Sequence, residues 1–271
     1  MATVSLNAGV RANLLSLQQT SSLISTAQQR LASGLKVNSP IDDASAFFAA
    51  ANARGRASDL AARKNEIGEA IQTISAASDG IEAISRLIDT AKGLAESARS
   101  ATTAGRSTLA IQFNEVLKQI DQTATDSKYK GSNLLAASGE LVVKTNETGT
   151  SKISINGFDA SSTTGLSVSS IAVSTWTVDT ALDAAVSQLN AAQSTLRTNA
   201  STFGAVSSQL TIRDTFLDEM KNVLNEGADK LTVADQNEEG ANLLSLQTRQ
   251  QLGVISLSLA NQSQQAILRL F

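Results

Sequence analysis

Two pairs of adjacent carboxylates, Asp42–Asp43 and Glu238–Glu239, are the residues whose type and spacing could bind a hard cation or transfer protons. Calcium and magnesium prefer such oxygen ligands, but a site needs several of them converging on one point. Nothing in the sequence brings the two pairs together, and each pair stands where a helix is predicted to begin. Because acids are stabilised at the positive end of a helix dipole, solvated charges at helix starts are the favoured interpretation.

Histidine and cysteine are both absent from the sequence. These side chains serve most often as the general base near neutral pH, as the thiolate nucleophile and as the ligand of transition metals. Without them most hydrolase and zinc-enzyme mechanisms lose their usual parts. We therefore expect no catalytic residue, no cofactor and no metal, and predict that the chain is not an enzyme.

The net charge of −3 argues against partners that are recognised through a cationic surface. No apolar run approaches the length that spans a bilayer, and the first residues lack the features of a cleavable signal. We expect no nucleic-acid binding and no membrane insertion. The chain is then either cytoplasmic or exported by a route that does not use such a signal.

Both ends of the chain lack acidic residues, because every aspartate and glutamate lies between Asp42 and Glu239. The ends also share the heptapeptide ANLLSLQ, at residues 12–18 and 241–247. A helix on the surface of a globular protein normally carries mixed charge on its solvated face. We therefore predict that both terminal helices pack against neighbours on several sides.

Long helices are predicted over most of the chain, since aromatic residues make up only 3% of it and there is one proline. Apolar residues recur every seven positions in the N-terminal segment, in a helix expected to stop at Gly34, and a second helix is expected to begin near Pro40. Heptads continue through the next helix and, without a miss, from Leu182 to Leu231. The helix is expected to weaken between Gly227 and Gly240, before the terminal helix begins at the second ANLLSLQ copy. Such heptads are typical of helices packed lengthwise.

Between residues 129 and 176 the helical periodicity is lost. The sequence LVVKTNETGTSKISI alternates apolar and polar residues around a polar turn, which predicts a β-hairpin, with one or two further short strands after it. A Ser/Thr-rich region inserted between helices is best placed at an exposed tip. The predicted fold is mainly α: an elongated antiparallel coiled-coil bundle with a small β-hairpin-containing tip and paired N- and C-terminal helices.

Two terminal segments resemble those of bacterial flagellins. The sequence QQRLASGLKVNSPIDDASA, residues 28–46, resembles the N-terminal signature of that family, and EEGANLLSLQTRQQLGVISLSLANQSQQAILRLF is similar to its C-terminal helix. YKGSNLL, residues 129–135, resembles a family turn. Two matching ends in the right order are more specific than either end alone.

The resemblance implies a structural subunit that polymerises into the flagellar filament for swimming motility, in the secreted, extracellular bacterial flagellum. Its partners would be further copies of itself in a helical homopolymer, the flagellar export apparatus and export chaperone, and the junction and cap proteins. The terminal helices would line the inner tube and become ordered on assembly.

The resemblance also implies a division into five parts. Residues 1–38 would form the N-terminal helix of the inner, tube-lining domain, and 39–136 the helical part of a middle domain. Residues 137–178 would form the small variable β tip, 179–232 the long return helix of the middle domain, and 233–271 the C-terminal helix of the inner domain.

Three groups of residues are assigned on this basis. The inner-tube assembly interface comprises Val10, Leu14, Leu17, Ile24, Leu31, Leu243, Leu246, Leu257, Leu259, Ile267 and Leu270. The joint between the inner and middle domains comprises Arg30, Gly34, Asn38, Pro40, Asp42 and Asp43. The seam of the middle domain comprises Ile67, Ile74, Ile81, Ile88, Leu182, Leu189, Leu196, Phe203, Leu210 and Leu217.

Two alternatives remain open from the sequence. A hook–filament junction protein has related ends but is expected to cap filaments rather than to polymerise. A coiled-coil signalling rod would also show long heptads, but it would be expected to have a plain helical hairpin tip and no matched acid-free ends.

Overall fold

The computed structural model describes residues 8–268, apart from the side chains at positions 8, 173, 264 and 266–268. The mainly α class with a small antiparallel β-hairpin, predicted from the sequence, is confirmed. The helices are α1 (Ala8–Ser33), α2 (Ala44–Ser100), α3 (Thr103–Asp126), α4 (Asp179–Thr232) and α5 (Gln236–Leu268). The strands are β1 (Glu140–Lys144) and β2 (Lys152–Asn156), and one turn of 3-10 helix, Val173–Thr175, precedes α4.

The chain divides into two compact units. We call Met1–Gly55 with Val223–Phe271 the terminal unit, and Arg56–Asn222 the middle unit. Helices α2 and α4 each contribute residues to both units. The finer division into five parts stays a prediction.

The end of α1 agrees with the prediction from the sequence. The helix ends at Ser33, and Gly34 has a φ of +71°, the left-handed conformation that favours glycine at a helix end. The amide of Gly34 donates to the carbonyl of Arg30 at 2.8 Å, which satisfies one of the last free carbonyls of α1.

The start of α2 was predicted wrongly: the helix begins at Ala44, not near Pro40. The physical reason is that the Asp42 carboxylate closes a separate turn, in which Oδ2 accepts from the amides of Asn38 at 3.1 Å and Ser39 at 2.9 Å. Pro40 lies inside that turn. The side chain of Asp43 then caps the helix, accepting from the amide of Ala46 at 2.9 Å.

The predicted start of α5 at the second ANLLSLQ copy was also wrong. Helix α4 continues through Gly227 to Thr232, and α5 begins at Gln236. Asp235 caps the new helix because its Oδ1 accepts from the amide of Asn237 at 2.9 Å. Gly227 and Gly240 therefore lie inside helices. A helix tolerates glycine there at a modest cost in stability.

The two connectors of the terminal unit lie side by side. Leu35 and Val233 form an isolated antiparallel bridge. The amide of Lys36 donates to the carbonyl of Thr232 at 2.8 Å, and the amide of Ala234 donates to the carbonyl of Gly34 at 2.9 Å. The connector after α1 is thus tied by backbone hydrogen bonds to the end of α4 and to the connector that follows it.

Helices α2 and α4 run antiparallel through the middle unit. Lys64 of α2 contacts Asp218 of α4 at 2.9 Å, and Arg99 contacts Asp183. From Lys64 to Arg99 the chain advances 35 residues along α2, and from Asp218 to Asp183 it goes back 35 residues along α4. The two helices therefore keep the same residue pairing over these 35 positions.

The apolar heptads of the middle unit form its core. The ten residues assigned to the seam are all buried, at 0–4% exposure, and so are the companion positions Ala70, Ala77, Ile84, Ala91, Ala95 and Ala98 of α2. Buried small residues on α2 allow close packing of the neighbouring helices. Trp176 and Phe113 extend this core at the end where α2 turns into α3, with ring centroids 5.2 Å apart.

The β-hairpin pairs Glu140 with Asn156 through to Lys144 with Lys152. The sequence placed the hairpin at an exposed tip, but its turn lies against the helices. Arg213 of α4 donates from Nε and Nη2 to the carbonyl of Thr145, and Arg56 of α2 binds Glu147 in bidentate fashion. The chain returns alongside α2 through α3, because Lys130, just after α3, contacts Glu69 of α2 at 2.7 Å.

The one or two further strands predicted after the hairpin are not formed in residues 157–178, all of which have a described backbone. Their amides bond elsewhere: Phe158 donates to the carbonyl of Leu134 and Ala160 to that of Leu135. The amide of Ser162 donates to the Asp121 carboxylate at 2.6 Å. Because these donors are satisfied by α3 and the loop after it, no ladder forms.

The contact between Lys64 and Asp218 predicts a pH dependence. Hydrogen bonds from Lys221 and from Lys64 lower the pKa of Asp218 to about 2. A carboxyl whose pKa is lower in the folded state stabilises that state above its unfolded pKa of about 4 and loses this contribution as the pH falls towards 2. We expect the melting temperature of the wild type to fall over this range, and Asp218→Asn to lack part of that fall. Circular dichroism melts from pH 2 to pH 7 test this, and parallel curves for the two proteins would contradict it.

Candidate assembly surface

The two terminal helices pack directly against each other. Near the end of α1, Arg30 Nη1 contacts Glu239 Oε1 in the first turn of α5 at 2.8 Å. Near the start of α1, Leu17 lies beside Gly253, where an added Cβ would be 2.7 Å from Leu17 Cδ2. The helices therefore run antiparallel. The two ANLLSLQ copies do not face each other, since the first lies near Gly253 and the second near Arg30.

The packed side of this pair contains most of the residues assigned to the assembly interface. Val10 and Leu246 are buried, at 4% and 6% exposure. Leu17, Ile24, Leu31, Leu243 and Leu257 are half-buried. Leu14 and Leu259 are exposed. Leu270 and the side chain of Ile267 lie outside the described residues.

An exposed apolar stripe lies on the other side of α5. It consists of Leu244, Leu252, Ile255 and Leu259, whose exposure is between 60% and 66%. At 3.6 residues per turn, these four residues fall within roughly 80° of one another around the helix. The packed residues Leu246, Gly253 and Leu257 lie on the opposite side by the same geometry. We call the four residues the exposed α5 stripe.

Helix α5 thus presents large apolar residues on two opposite faces, but only one of these faces is covered by α1. A helix that is apolar all round is normally buried on all sides. On α1, Leu14, Leu15 and Leu23 are also exposed, at 43–57%. The terminal unit therefore presents far more apolar surface than isolated surface leucines would explain.

This apolar surface carries few charges. Beyond the pair formed by Arg30 and Glu239, the only charged residues in the described parts of α1 and α5 towards the chain ends are Arg11 and Arg249. Burial of a charge without a partner is costly, and the cores of protein interfaces are depleted in charged residues. A surface of this composition can be covered by protein at a small electrostatic cost.

The carboxylate pairs do not form a cation site. Hydrogen bonds from the backbone and side chain of Ser39 and from the backbone of Asn38 lower the pKa of Asp42, which keeps that carboxylate charged within its turn. Asp43 caps α2, and Glu239 pairs with Arg30. Among residues 8–268 no group of three or more carboxylates could hold a metal ion.

Sequence reasoning missed most of the exposed α5 stripe. Only Leu259 was among the residues assigned to the interface, whereas Leu244, Leu252 and Ile255 were not. Leu252, Ile255 and Leu259 follow Leu244 by eight, eleven and fifteen residues, spacings that return to the same face of an α-helix. This pattern in the sequence could have revealed a second apolar face of α5. No helix within the described part of the chain is both long enough and apolar enough to cross a bilayer.

Comparison with protein families supports the interpretation of both ends. Residues 4–140 match the model of the bacterial flagellin N-terminal helical region, and residues 180–271 match that of the bacterial flagellin C-terminal helical region. The two regions occur in the same order as in the resemblance noted from the sequence.

Individual relatives match along the whole length. The chain is similar to flagellin FljK of Caulobacter vibrioides, with 32% identity over 99% of this chain and 98% of the relative. It is also similar to a flagellin of Brucella melitensis biotype 1, with 29% identity over 100% of this chain and 99% of the relative. A Bacillus cereus flagellin crystal structure aligns with a TM-score of 0.46 and 16% identity over 58% of this chain and 88% of that one.

Proposed function

Because the chain belongs to the bacterial flagellin family, a family of structural subunits of the flagellar filament, we propose that its terminal unit supplies the polymerising surface. The observation that carries this proposal is that α5 has large apolar residues on two opposite faces. One face packs on α1, and the exposed α5 stripe is left for contact with other copies of the chain.

The stripe is large enough to matter for assembly. Full burial of one leucine or isoleucine side chain contributes about 1.5–3 kcal/mol. Four such residues, each at least 60% exposed in the monomer, would contribute several kcal/mol per subunit once covered. Association also has an entropic cost, so the contribution must be of this size to favour a polymer.

The packed residues and the exposed residues then have different roles. Leu17 and Leu246 hold α1 and α5 together within one subunit, whereas the exposed α5 stripe is proposed to bind neighbouring subunits. A contact between two different surfaces of identical subunits generates a helical fibre when its rotation does not close into a ring. The proposed role is mechanical and needs no catalytic residue, cofactor or metal.

We further propose that the terminal helices become fully ordered on assembly. In the free subunit α1 and α5 form only a two-helix layer with one covered face each, and isolated helices depend on packing for their stability. Contacts with neighbouring copies would supply the second covered face.

Limited trypsin digestion tests this ordering. We expect the free subunit to be cut rapidly at Arg11 and Arg249, both of which are exposed on the terminal helices. Filaments at the same protein concentration should be cut there far more slowly, because local opening is needed for cleavage and neighbours oppose it. Equal cleavage rates in the two states would contradict the proposal.

Electron microscopy of material assembled from the purified chain tests the polymer itself. Filaments that elongate from added seeds are the expected result. A protein that binds seeds but does not elongate them would instead support the hook–filament junction alternative. The signalling-rod alternative has no support, because both ends match flagellin regions.

The remaining partners follow from the family and are proposed on that basis alone. They are the flagellar export apparatus, the export chaperone, and the junction and cap proteins, with the assembled chain in the secreted, extracellular flagellum. Pull-down of each purified partner with the full chain would test them one by one.

A further inference from the structure

Ile41 is the most exposed of the large apolar residues described, at 96%. It stands on the turn that Asp42 closes, and Phe48, 62% exposed, follows in the first turns of α2. We call Ile41 on this turn the apolar knob. The turn that presents Ile41 is held by three hydrogen bonds to Asp42 Oδ2, from the amides of Asn38 and Ser39 and from Ser39 Oγ. The knob is therefore presented by a fixed backbone.

The knob also carries negative charge. Asp42 and Asp43 follow Ile41 directly, and both are exposed. Hydrogen bonds from Ser39 and Asn38 keep Asp42 ionised. A partner for this knob should combine an apolar hollow with a cation beside it.

The α1–α5 pair contains such a hollow. A groove of about 330 Å³ runs between the two helices. Buried Ala27 and Leu246, together with Leu23, form its apolar part, and Arg249 also lines it. We call it the α1–α5 groove.

The charges in the α1–α5 groove favour an acidic occupant. Arg30 is paired with Glu239, but Arg249 has no ion-pair partner among the described residues. Ile41 does not occupy the groove of its own chain, because a seated side chain would not be 96% exposed.

We propose that the apolar knob of one copy seats in the α1–α5 groove of a second copy, with Ile41 in the apolar part and the Asp42–Asp43 carboxylates beside Arg249. The proposal rests on the proposed polymerising function and assigns one pair of mating surfaces to it. Knob and groove are different surfaces of the same unit, so the contact is heterologous, the kind that repeats from subunit to subunit in a helical filament when its rotation does not close into a ring.

Cysteine crosslinking tests the contact, since the chain has no cysteine of its own. The double variant Ile41→Cys with Ser245→Cys places one thiol on the knob and one at the groove, of which Ser245 is a lining residue. Oxidised filaments of this variant should give a ladder of covalent oligomers on a non-reducing gel. The matched control pairs Ser245→Cys with Ile212→Cys, which replaces an isoleucine 69% exposed on the middle unit, and should give no ladder.

A second measurement does not depend on disulfide geometry. Ile41→Ser should raise the critical concentration for assembly about tenfold or more over Ile212→Ser, because only the first would lose a buried isoleucine in the filament. The proposed contact would be overturned if the cysteine variant forms filaments but gives no more covalent ladder than the control, and if Ile41→Ser and Ile212→Ser have equal critical concentrations. The proposal that the chain polymerises would still stand in that case. Failure of the unmodified chain to form filaments would overturn both proposals.

Discussion

Leu244→Asp is expected to abolish filament formation while leaving the melting curve of the monomer nearly unchanged. Leu244 is 66% exposed in the subunit, so the aspartate remains solvated there. In the filament the same carboxylate would be buried among apolar side chains without a partner, at a cost of several kcal/mol per subunit. A loss of about 4 kcal/mol raises the critical concentration about a thousandfold.

Sedimentation of assembled material, with circular dichroism of the supernatant, measures both parts of this expectation. Leu244→Met is the matched control, since it conserves volume and apolar character and should assemble as the wild type does. Normal filaments from Leu244→Asp would show that the exposed α5 stripe is not a contact between subunits.

Gly80→Ala is expected to destabilise the middle unit even though alanine is the better helix former. A Cβ at position 80 of α2 would lie 2.7 Å from the Cβ of Ser127 and 2.8 Å from Cδ1 of Leu135. Such overpacking costs about 1–3 kcal/mol. At about 2–4 °C per kcal/mol for a unit of this size, the melting temperature should fall by several degrees.

Gly93→Ala in the same helix is the control, because an added Cβ there meets nothing within 4 Å. It should raise stability by about 0.5–1 kcal/mol through helix propensity alone. Opposite signs for the two variants are the expected result in thermal melts. A stabilised Gly80→Ala protein would mean that α2 does not approach the loop after α3 so closely.

The regular helices and their core were predictable because heptad periodicity depends only on local sequence. The heptad positions from Leu182 to Leu217 are all buried, and Gly34 ends α1 as a left-handed cap. Helix starts were less predictable, since Asp42 could serve either a helix or a preceding turn. Which of these two roles Asp42 takes depends on the three-dimensional structure and is not specified by the local sequence.

Two features could not be obtained from periodicity at all. The hairpin lies where Arg56 and Arg213 bind its turn, and these contacts join residues more than 60 positions apart. The distinction between Leu246, covered by α1, and Leu244, left exposed, requires knowing which face of α5 the partner helix takes. A repeat of apolar residues shows that a face is apolar, not what covers it.

The most direct test of the account asks whether the exposed α5 stripe becomes covered in the filament. Ile255→Cys places a single thiol on the stripe, at a position 63% exposed in the subunit of a chain that otherwise lacks cysteine. Its rate of reaction with a maleimide reagent is measured in dilute monomer and in assembled filaments. We expect rapid labelling of the monomer and labelling slower by on the order of tenfold or more in the filament, because a buried thiol reacts only after local opening. Equal labelling rates in the two states would contradict it.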